Sequence, residues 1–126
     1  HHPTEIKVTL SAARECWPDR RKVVVFQPHR YSRTAALFEE FTRAFYYSDV
    51  LLVLPIYAAS EKEIEGVNAQ SLCDGIRAHG HKDVSHAPDF NQALSMISHK
   101  MQSNDLVLTL GAGDVYRLGE QLVEIL

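Results

Sequence analysis

The sequence lacks the features of a disulfide-rich or membrane-spanning protein. Its 126 residues include two cysteines, Cys16 and Cys73, which form neither a CxxC pair nor part of a histidine-rich cluster. This spacing argues against a disulfide framework or a zinc site, so both are expected to be core thiols in a cytosolic protein. The longest apolar run, residues 50–56, is far shorter than the roughly 20 residues of a membrane-spanning helix. No charged leader precedes an apolar stretch, and we expect neither a membrane partner nor secretion.

An excess of positive charge is also missing. Thirteen Lys and Arg stand against sixteen Asp and Glu, which gives a formal net charge of −3. No strong positive field would attract nucleic acid, so no nucleic-acid partner is expected. The sequence contains no GxxxxGK[ST] phosphate loop, no HExxH and no suitably ordered Ser/His/Asp set. We therefore expect no complete catalytic apparatus and no metal site in this chain.

The composition is that of a folded protein, with 45% hydrophobic and 23% charged residues. Its length fits a single domain over residues 1–126. The spacing of apolar residues predicts alternating helices and strands. Helices are predicted over 3–17, 33–46, from an Asn68 N-cap to before Gly80, from an Asp89 N-cap to about 101, and after 111–113; strands are predicted over 22–26, 50–56, near 84 and over 105–110. This order indicates a three-layer, Rossmann-like α/β fold, in which a mostly parallel twisted sheet carries helices on both faces.

Binding sites of such folds lie beyond the carboxyl ends of the strands. This rule selects the segments 28–34, 57–65 and 111–114. In the first, Arg30 and Arg33 are three residues apart near the predicted start of a helix. Guanidinium groups pair with carboxylates or phosphates, and a cation at a helix N-terminus is unfavourable unless an anion is bound between it and the free backbone donors. Solvated loop arginines explain the same pattern equally well.

The glycine-containing segment 111–114 only partly resembles a dinucleotide-binding loop. Tyr116 stands where a third small residue is needed, and the preceding strand is the last one rather than the first. The glycines are better explained by a positive-φ turn and a close backbone approach. The histidines are equally ambiguous: His1 and His2 resemble the end of an affinity tag, and His79 and His81 alone do not make a metal site.

Four segments together resemble one family. They are HHPTEI at residues 1–6, FQPHRYSRT at 26–34, LPIYAA at 54–59 and LGAGDV at 110–115. In this order and spacing they are similar to the C-terminal domain of the Mur ligases, in particular those that join L-alanine to UDP-N-acetylmuramate, and the resemblance covers the whole chain. The histidine pair is itself part of this pattern, which favours native sequence over a tag.

The resemblance implies a fragment of a three-domain bacterial, cytoplasmic enzyme of peptidoglycan synthesis. The first domain of the family holds the uridine nucleotide, the central domain carries the phosphate loop and the magnesium ligands, and the third closes over the site. The implied reaction uses ATP and Mg²⁺ to phosphorylate the muramyl carboxylate, which the amine of L-alanine then attacks. The implied partners are L-alanine, UDP-N-acetylmuramate and the other two domains, and this fragment alone is expected to be inactive.

The same resemblance assigns candidate site residues. Arg30 and Arg33 match arginines expected to hold the alanine carboxylate, while His1 lines the amino-acid pocket and Ala112 provides a close backbone wall. A possible cleft rim comprises His29, Tyr57, Glu61, Gly111 and Gly113.

Two other functions stay open. A recycling ligase that attaches a tripeptide to UDP-N-acetylmuramate shares the fold and some of the loop residues. A stand-alone, non-catalytic α/β anion-binding module is also compatible with a domain of this size.

Overall fold

Helices and strands alternate along most of the chain, and they form a parallel sheet with helices on both sides. The computed structural model describes residues 2–111 and 115–125. The elements are α1 (Pro3–Cys16), β1 (Lys22–Gln27), α2 (Tyr31–Ala36), α3 (Phe38–Thr42), β2 (Val50–Val53), α4 (Ala69–Ala78), β3 (Val84–His86), α5 (Phe90–Lys100), β4 (Leu106–Gly111) and α6 (Val115–Ile125). The predicted fold class is confirmed.

The sheet has the strand order β3-β2-β1-β4, and every neighbouring pair is parallel. The two central strands are apolar on both faces, as expected for strands covered by helices on each side. Val24 and Phe26 of β1 point into one core, which α1, α3 and α4 complete. Val23 and Val25 point into a second core, which α5 and α6 complete. Three layers follow directly from this alternation.

Side-chain caps fix the starts of several helices. Asn68 caps α4 by accepting the Ser71 N–H, and the Ser71 hydroxyl accepts the Asn68 N–H in return. Asp89 caps α5 by accepting the Gln92 N–H at 2.8 Å. Both predicted N-caps are thus confirmed. In α1 the cap is His2, whose Nδ1 accepts the Thr4 N–H at 3.1 Å; the sequence analysis missed this role.

The single helix predicted over 33–46 is wrong. Two short helices, α2 and α3, meet at Leu37, whose φ of −112° and ψ of 20° interrupt the helical path. The second helix ends at Thr42, whose hydroxyl bonds to the Glu39 carbonyl. A hydroxyl that binds a carbonyl one turn back competes with the helical hydrogen bond at that position. The tightened turn that follows brings Phe45 into the core.

Three further expectations need correction. Cys16 is exposed rather than a core thiol, because it is the last residue of α1 and faces away from the sheet; Cys73 is buried as expected. Trp17, the last residue of the helix predicted over 3–17, instead follows the end of α1 and is 45% exposed. The strand predicted over 50–56 ends at Val53, because Pro55 has no backbone N–H to continue the pairing. The apolar spacing of the last helix also predicts that Leu122 and Ile125 point inward, but their side chains lie outside the described part of the structure.

Candidate functional site

The strand order creates one point where the chain changes direction across the sheet. From β1 the chain proceeds to β2 and β3 on one side, whereas β4 pairs with the opposite side of β1. In parallel α/β sheets a crevice opens outside the carboxyl ends of two such strands, and ligands bind there. Here that point lies between the loop after β1, which carries Arg30 and Arg33, and the end of β4 at Gly111. The segments 28–34 and 57–65 and residue Gly111 therefore all follow strand ends at the edge that the fold favours.

Gly111 occupies a position that only glycine tolerates. Its φ is 126°, and a Cβ atom built there would lie 2.3 Å from the carbonyl oxygen of Gln27. The close backbone approach and the positive φ expected for this turn are thereby confirmed at Gly111. Ala112 and Gly113, the other two candidates of this loop, lie outside the described residues, as does His1.

The loop carrying the arginines is fixed to the loop after β2 through backbone hydrogen bonds. The Arg30 N–H donates to the Tyr57 carbonyl, and the Tyr57 N–H donates to the Pro28 carbonyl, both at 2.8 Å. The rings of His29 and Tyr57 stack with centroids 5.8 Å apart and planes 14° from parallel. The structure thus brings together His29, Arg30 and Tyr57, three of the predicted site residues.

Arg30 has an unusual backbone conformation. Its φ of 68° lies in the left-handed region, which residues other than glycine rarely adopt. The conformation is stabilised by Thr34, whose N–H and hydroxyl both donate to the Arg30 carbonyl, at 3.1 and 2.8 Å. Thr34 is completely buried, while Arg30 is exposed. Strained backbone of this kind is concentrated at functional sites.

An anion does lie at the start of α2, and the protein supplies it. The carboxylate of Glu61 accepts the Ser32 N–H at 3.0 Å with one oxygen and the Ser32 hydroxyl with the other. These bonds, with the Tyr31 N–H and the charge of Arg30, lower the pKa of Glu61 below its usual value. The expectation that a substrate anion sits between the arginines and free backbone donors is therefore wrong in one respect. The Ser32 N–H and hydroxyl are already occupied by Glu61.

His29 lies within the electrostatic influence of both arginines. Burial of its ring lowers the His29 pKa, and the charges of Arg30 and Arg33 lower it further, against a smaller opposing effect of Glu61. Because a positive histidine would add a third cation to this loop, the neutral form is favoured at neutral pH. The charges of both arginines therefore act on the His29 ring.

A cavity of about 500 Å³ opens at the same edge of the sheet, between the β2 loop and the helices α5 and α6. Gln27, Tyr57, Phe90 and Arg117 contribute to its walls. A second cavity of about 490 Å³ lies near Ser48 and His81, at the amino ends of the strands and away from the arginines. The first cavity is therefore the one that adjoins the candidate site.

The residues that the sequence analysis missed here are Ser32 and Thr34, which hold Glu61 and Arg30 in place. Their only sequence signal is a hydroxyl residue two and four residues after Arg30, a pattern too common to select them. Across residues 2–111 and 115–125 no group of three or more His, Cys, Asp or Glu is placed to hold a metal ion. Over the same ranges, no helix combines the length and apolar character needed to cross a bilayer.

Fold and site together define an α/β domain in which two arginines, Arg30 and Arg33, follow the strand at which the strand order reverses. The sequence profile of the family described as Mur ligase, glutamate ligase domain, matches residues 1–113. The chain therefore belongs to the Mur ligase family, as its C-terminal domain.

Individual relatives agree with this assignment. The chain is 67% identical over 126 residues to a UDP-N-acetylmuramate--L-alanine ligase of Desulforapulum autotrophicum. It is 58% identical over 123 residues to a protein of the same name from Desulfosudis oleivorans. It covers 28% and 27% of these proteins, while the alignments cover 100% and 98% of the chain. The chain thus spans little more than a quarter of the length of the relatives it matches.

Solved structures support the fold. A murein peptide ligase from Psychrobacter arcticus superimposes with a TM-score of 0.76 at 16% identity, over 98% of this chain and 25% of that one. A domain from a Haemophilus ducreyi protein, titled as a putative UDP-N-acetylmuramate:L-alanyl-gamma-D-glutamyl-medo-diaminopimelate ligase, gives 0.70 at 18% identity, over 99% and 84% of the two chains. At such low identity the likeness concerns the fold alone.

Proposed function

We propose that this chain is the C-terminal, amino-acid-binding domain of a three-domain ligase that joins L-alanine to the carboxylate of UDP-N-acetylmuramate. The observation that carries the proposal is the position of Arg30 and Arg33 at the strand-order reversal, in a chain 67% identical to a protein named for that reaction. The proposed setting is the bacterial cytoplasm, in the synthesis of peptidoglycan precursors. An immunoblot that detects this domain only in a polypeptide near 14 kDa would contradict the three-domain part of the proposal.

Within this domain, Arg30 and Arg33 bind the carboxylate of the amino acid and hold its amine toward the activated muramyl carboxylate. Guanidinium forks suit this task because two parallel hydrogen bonds fix the orientation of a planar carboxylate. A fixed orientation raises the effective concentration of the amine at the reacting carbon. His1 and Ala112 are proposed to close the pocket around the amino-acid side chain, with Gly113 in the same loop.

The described residues do not fit the role of holding ATP and Mg²⁺ themselves. They contain no cluster suited to a metal ion, and the sequence has no phosphate loop. We propose that both are bound mainly by a central domain outside this chain. The domain described here then supplies the amino acid and is inactive in isolation.

The test uses the full-length polypeptide, with ligation measured while the amino acid is varied. Arg30→Ala and Arg33→Ala should each lower kcat/KM for L-alanine about ten- to hundredfold, which corresponds to the loss of one charge-assisted contact in a closed site. Arg20→Ala, which removes an exposed arginine in the turn before β1, is the matched control and should leave the kinetics unchanged. Unchanged kinetics in both site variants would contradict the proposed roles.

The same assay distinguishes the other functions. Saturation by a tripeptide in preference to free alanine would identify the recycling ligase. Failure of the full-length protein to ligate either amine would favour a non-catalytic binding module.

A further inference from the structure

We propose that Glu61 is a positioning residue of the amino-acid site: its carboxylate holds the start of α2 so that Arg30 and Arg33 face the crevice. This inference rests on the proposed function for its effect on catalysis, though not for its structural part. Glu61 lies on the loop after β2, whereas the arginines lie on the loop after β1. The two segments are 29 residues apart in the sequence at the Ser32–Glu61 contact.

The first step of the argument is the geometry of the contact. Both oxygens of Glu61 are engaged by Ser32, one by the backbone N–H at 3.0 Å and the other by the hydroxyl. Ser32 lies between Arg30 and Arg33 in the sequence, in the first turn of α2. A two-point contact to this residue fixes the rotation of the turn as well as its distance from the β2 loop. Both guanidinium groups are attached to the backbone that is fixed in this way.

The second step is that the β2 loop holds the arginine segment at two places. The Tyr57 carbonyl accepts the Arg30 N–H at 2.8 Å, and Glu61 binds Ser32 two residues later. Between these points the chain passes through the left-handed conformation of Arg30. A strained residue keeps its conformation only when the surroundings determine it from several sides. Glu61 therefore complements Thr34, which holds the Arg30 carbonyl from within the helix.

The third step concerns charge. Glu61 places a negative charge at the first turn of α2, close enough to Arg30 for the charge of that arginine to lower the Glu61 pKa. Because the Ser32 donors are occupied, a bound carboxylate is directed to the guanidinium groups instead. Removing Glu61 would free a competing set of donors and loosen the turn at the same time. The effect is expected on the affinity for the amino acid rather than on the other substrates.

The experiment uses the full-length polypeptide with Glu61→Ala, and Glu63→Ala as the matched control. Glu63 is an exposed carboxylate on the same loop. Glu61→Ala should raise KM for L-alanine roughly tenfold, while KM for UDP-N-acetylmuramate stays within about twofold, because misplacement of a positioning group acts on its own ligand. Glu63→Ala should match the wild type. Equal alanine KM values in the two variants would overturn the proposal.

Variants of the partner residue provide a second test if Glu61→Ala fails to fold. Ser32→Ala removes the hydroxyl donor and should raise KM for alanine in the same direction by a smaller factor. Ser32→Thr keeps the hydroxyl and should restore the wild-type value. A Thr variant as impaired as the Ala variant would contradict a role for this hydrogen bond.

Amide hydrogen exchange separates this inference from the proposed function. The segment containing Ser32 should exchange faster in Glu61→Ala than in Glu63→Ala, whatever reaction the enzyme catalyses. Faster exchange without any alanine ligation by the wild type would retain the contact and reject the proposed function. Faster exchange with an unchanged alanine KM would reject the positioning role, and unchanged exchange would reject the contact itself.

Discussion

The ring of His81 joins two loops at the amino ends of the strands: its Nε2 lies 2.7 Å from the hydroxyl oxygen of Ser48. The other ring nitrogen, Nδ1, accepts the N–H of Asp83 at 3.2 Å. A nitrogen that accepts carries no proton, so the neutral ring has its hydrogen on Nε2 and donates to Ser48. The Ser48 hydroxyl in turn donates to the Phe45 carbonyl at 2.8 Å. The pair is therefore a structural bridge, and the histidine does not activate the serine as a nucleophile.

This bridge predicts a loss of stability in mild acid. Burial lowers the pKa of His81 below its ordinary value of 6.5, although the nearby Asp83 and Asp49 partly oppose the shift. The unfolded chain therefore binds the proton more readily than the native state, and the free energy of unfolding falls as the pH drops below about 6.5. His29, whose pKa is also lowered, contributes with the same sign. Urea denaturation at pH 7.5 and pH 5.5 measures the difference.

The variant His81→Gln measures how much of this pH dependence of stability comes from His81. Glutamine keeps a polar group near the Nε2 position but does not titrate, so the variant should lose less stability between the two pH values than the wild type. His99→Gln, at an exposed position on α5, should retain the wild-type pH dependence. A wild-type pH dependence in His81→Gln would show that this histidine is not the group concerned.

The ion pair between Arg21 and Asp105 should contribute more to stability than the surface pairs. The Nε and one terminal nitrogen of Arg21 donate to the two carboxylate oxygens of Asp105, at 3.1 and 2.8 Å, and the Asp105 side chain is 3% exposed. Arg21→Met would leave a nearly buried carboxylate without its main partner and should lower the free energy of unfolding by about 2–3 kcal/mol. Chemical denaturation at neutral pH measures this loss.

Two comparisons check the explanation. Arg43→Met removes an arginine whose pairing with Glu39 is exposed on both sides, and such pairs contribute roughly 0–1 kcal/mol. Removing both partners, in Arg21→Met with Asp105→Leu, should cost less than Arg21→Met alone. The opposite order would mean that the loss comes from packing of the arginine side chain rather than from an unpaired charge.

The sequence predicted the architecture because each strand and most helices carry their own periodic signal. The all-apolar β2 and the capped α4 are clear examples, since both can be recognised within a short window. The loop with the arginines could be placed from the sequence for the same reason. Pro28 marks the end of β1, and the fold then places this loop at the carboxyl edge of the sheet. These inferences need only local pattern and topology.

The remaining features depend on contacts between distant segments. Glu61 meets Ser32 across 29 residues and His81 meets Ser48 across 33, and no spacing rule connects them. The break between α2 and α3 at Leu37 could not be predicted from the sequence either, because the apolar stripe of residues 33–46 continues across it. Arg30 adopts a positive φ although it is neither glycine nor asparagine, so the sequence gives no sign of this conformation. Such features follow from tertiary packing, which overrides local preference.

Close packing of α3 against α4 predicts that Gly75 cannot be replaced by alanine without cost. A Cβ atom at Gly75 would lie 2.6 Å from Cγ2 of Thr42, a buried side chain whose hydroxyl is bonded to the Glu39 carbonyl. Overpacking of this kind costs about 1–3 kcal/mol, against a helix-propensity gain of about 1 kcal/mol. Gly75→Ala should therefore lower the free energy of unfolding by up to about 2 kcal/mol, measured by denaturation.

The chain offers a control and a rescue for this prediction. At Gly119 on α6 the new methyl would lie 3.6 Å from Thr109 Cγ2, an ordinary contact, so Gly119→Ala should be neutral or stabilising. Adding Thr42→Ser to Gly75→Ala removes the overlapping methyl and keeps the hydroxyl, and it should recover part of the loss. A Gly75→Ala variant as stable as the wild type would show that α3 can move away freely.

Two substitutions at Arg30 separate the effect of its strained backbone from the effect of its side chain. Alanine at a φ of 68° carries a penalty of roughly 1–2 kcal/mol that glycine avoids. Arg30→Gly should therefore be about 1 kcal/mol more stable than Arg30→Ala by denaturation. Both variants lack the guanidinium group, so both should show the same loss of kcat/KM for L-alanine in the full-length polypeptide. Glycine that restored the kinetics would assign the loss in Arg30→Ala to backbone geometry. Equal stabilities would instead mean that the loop relaxes out of the left-handed conformation, and Thr34 and Tyr57 would then not hold it as described.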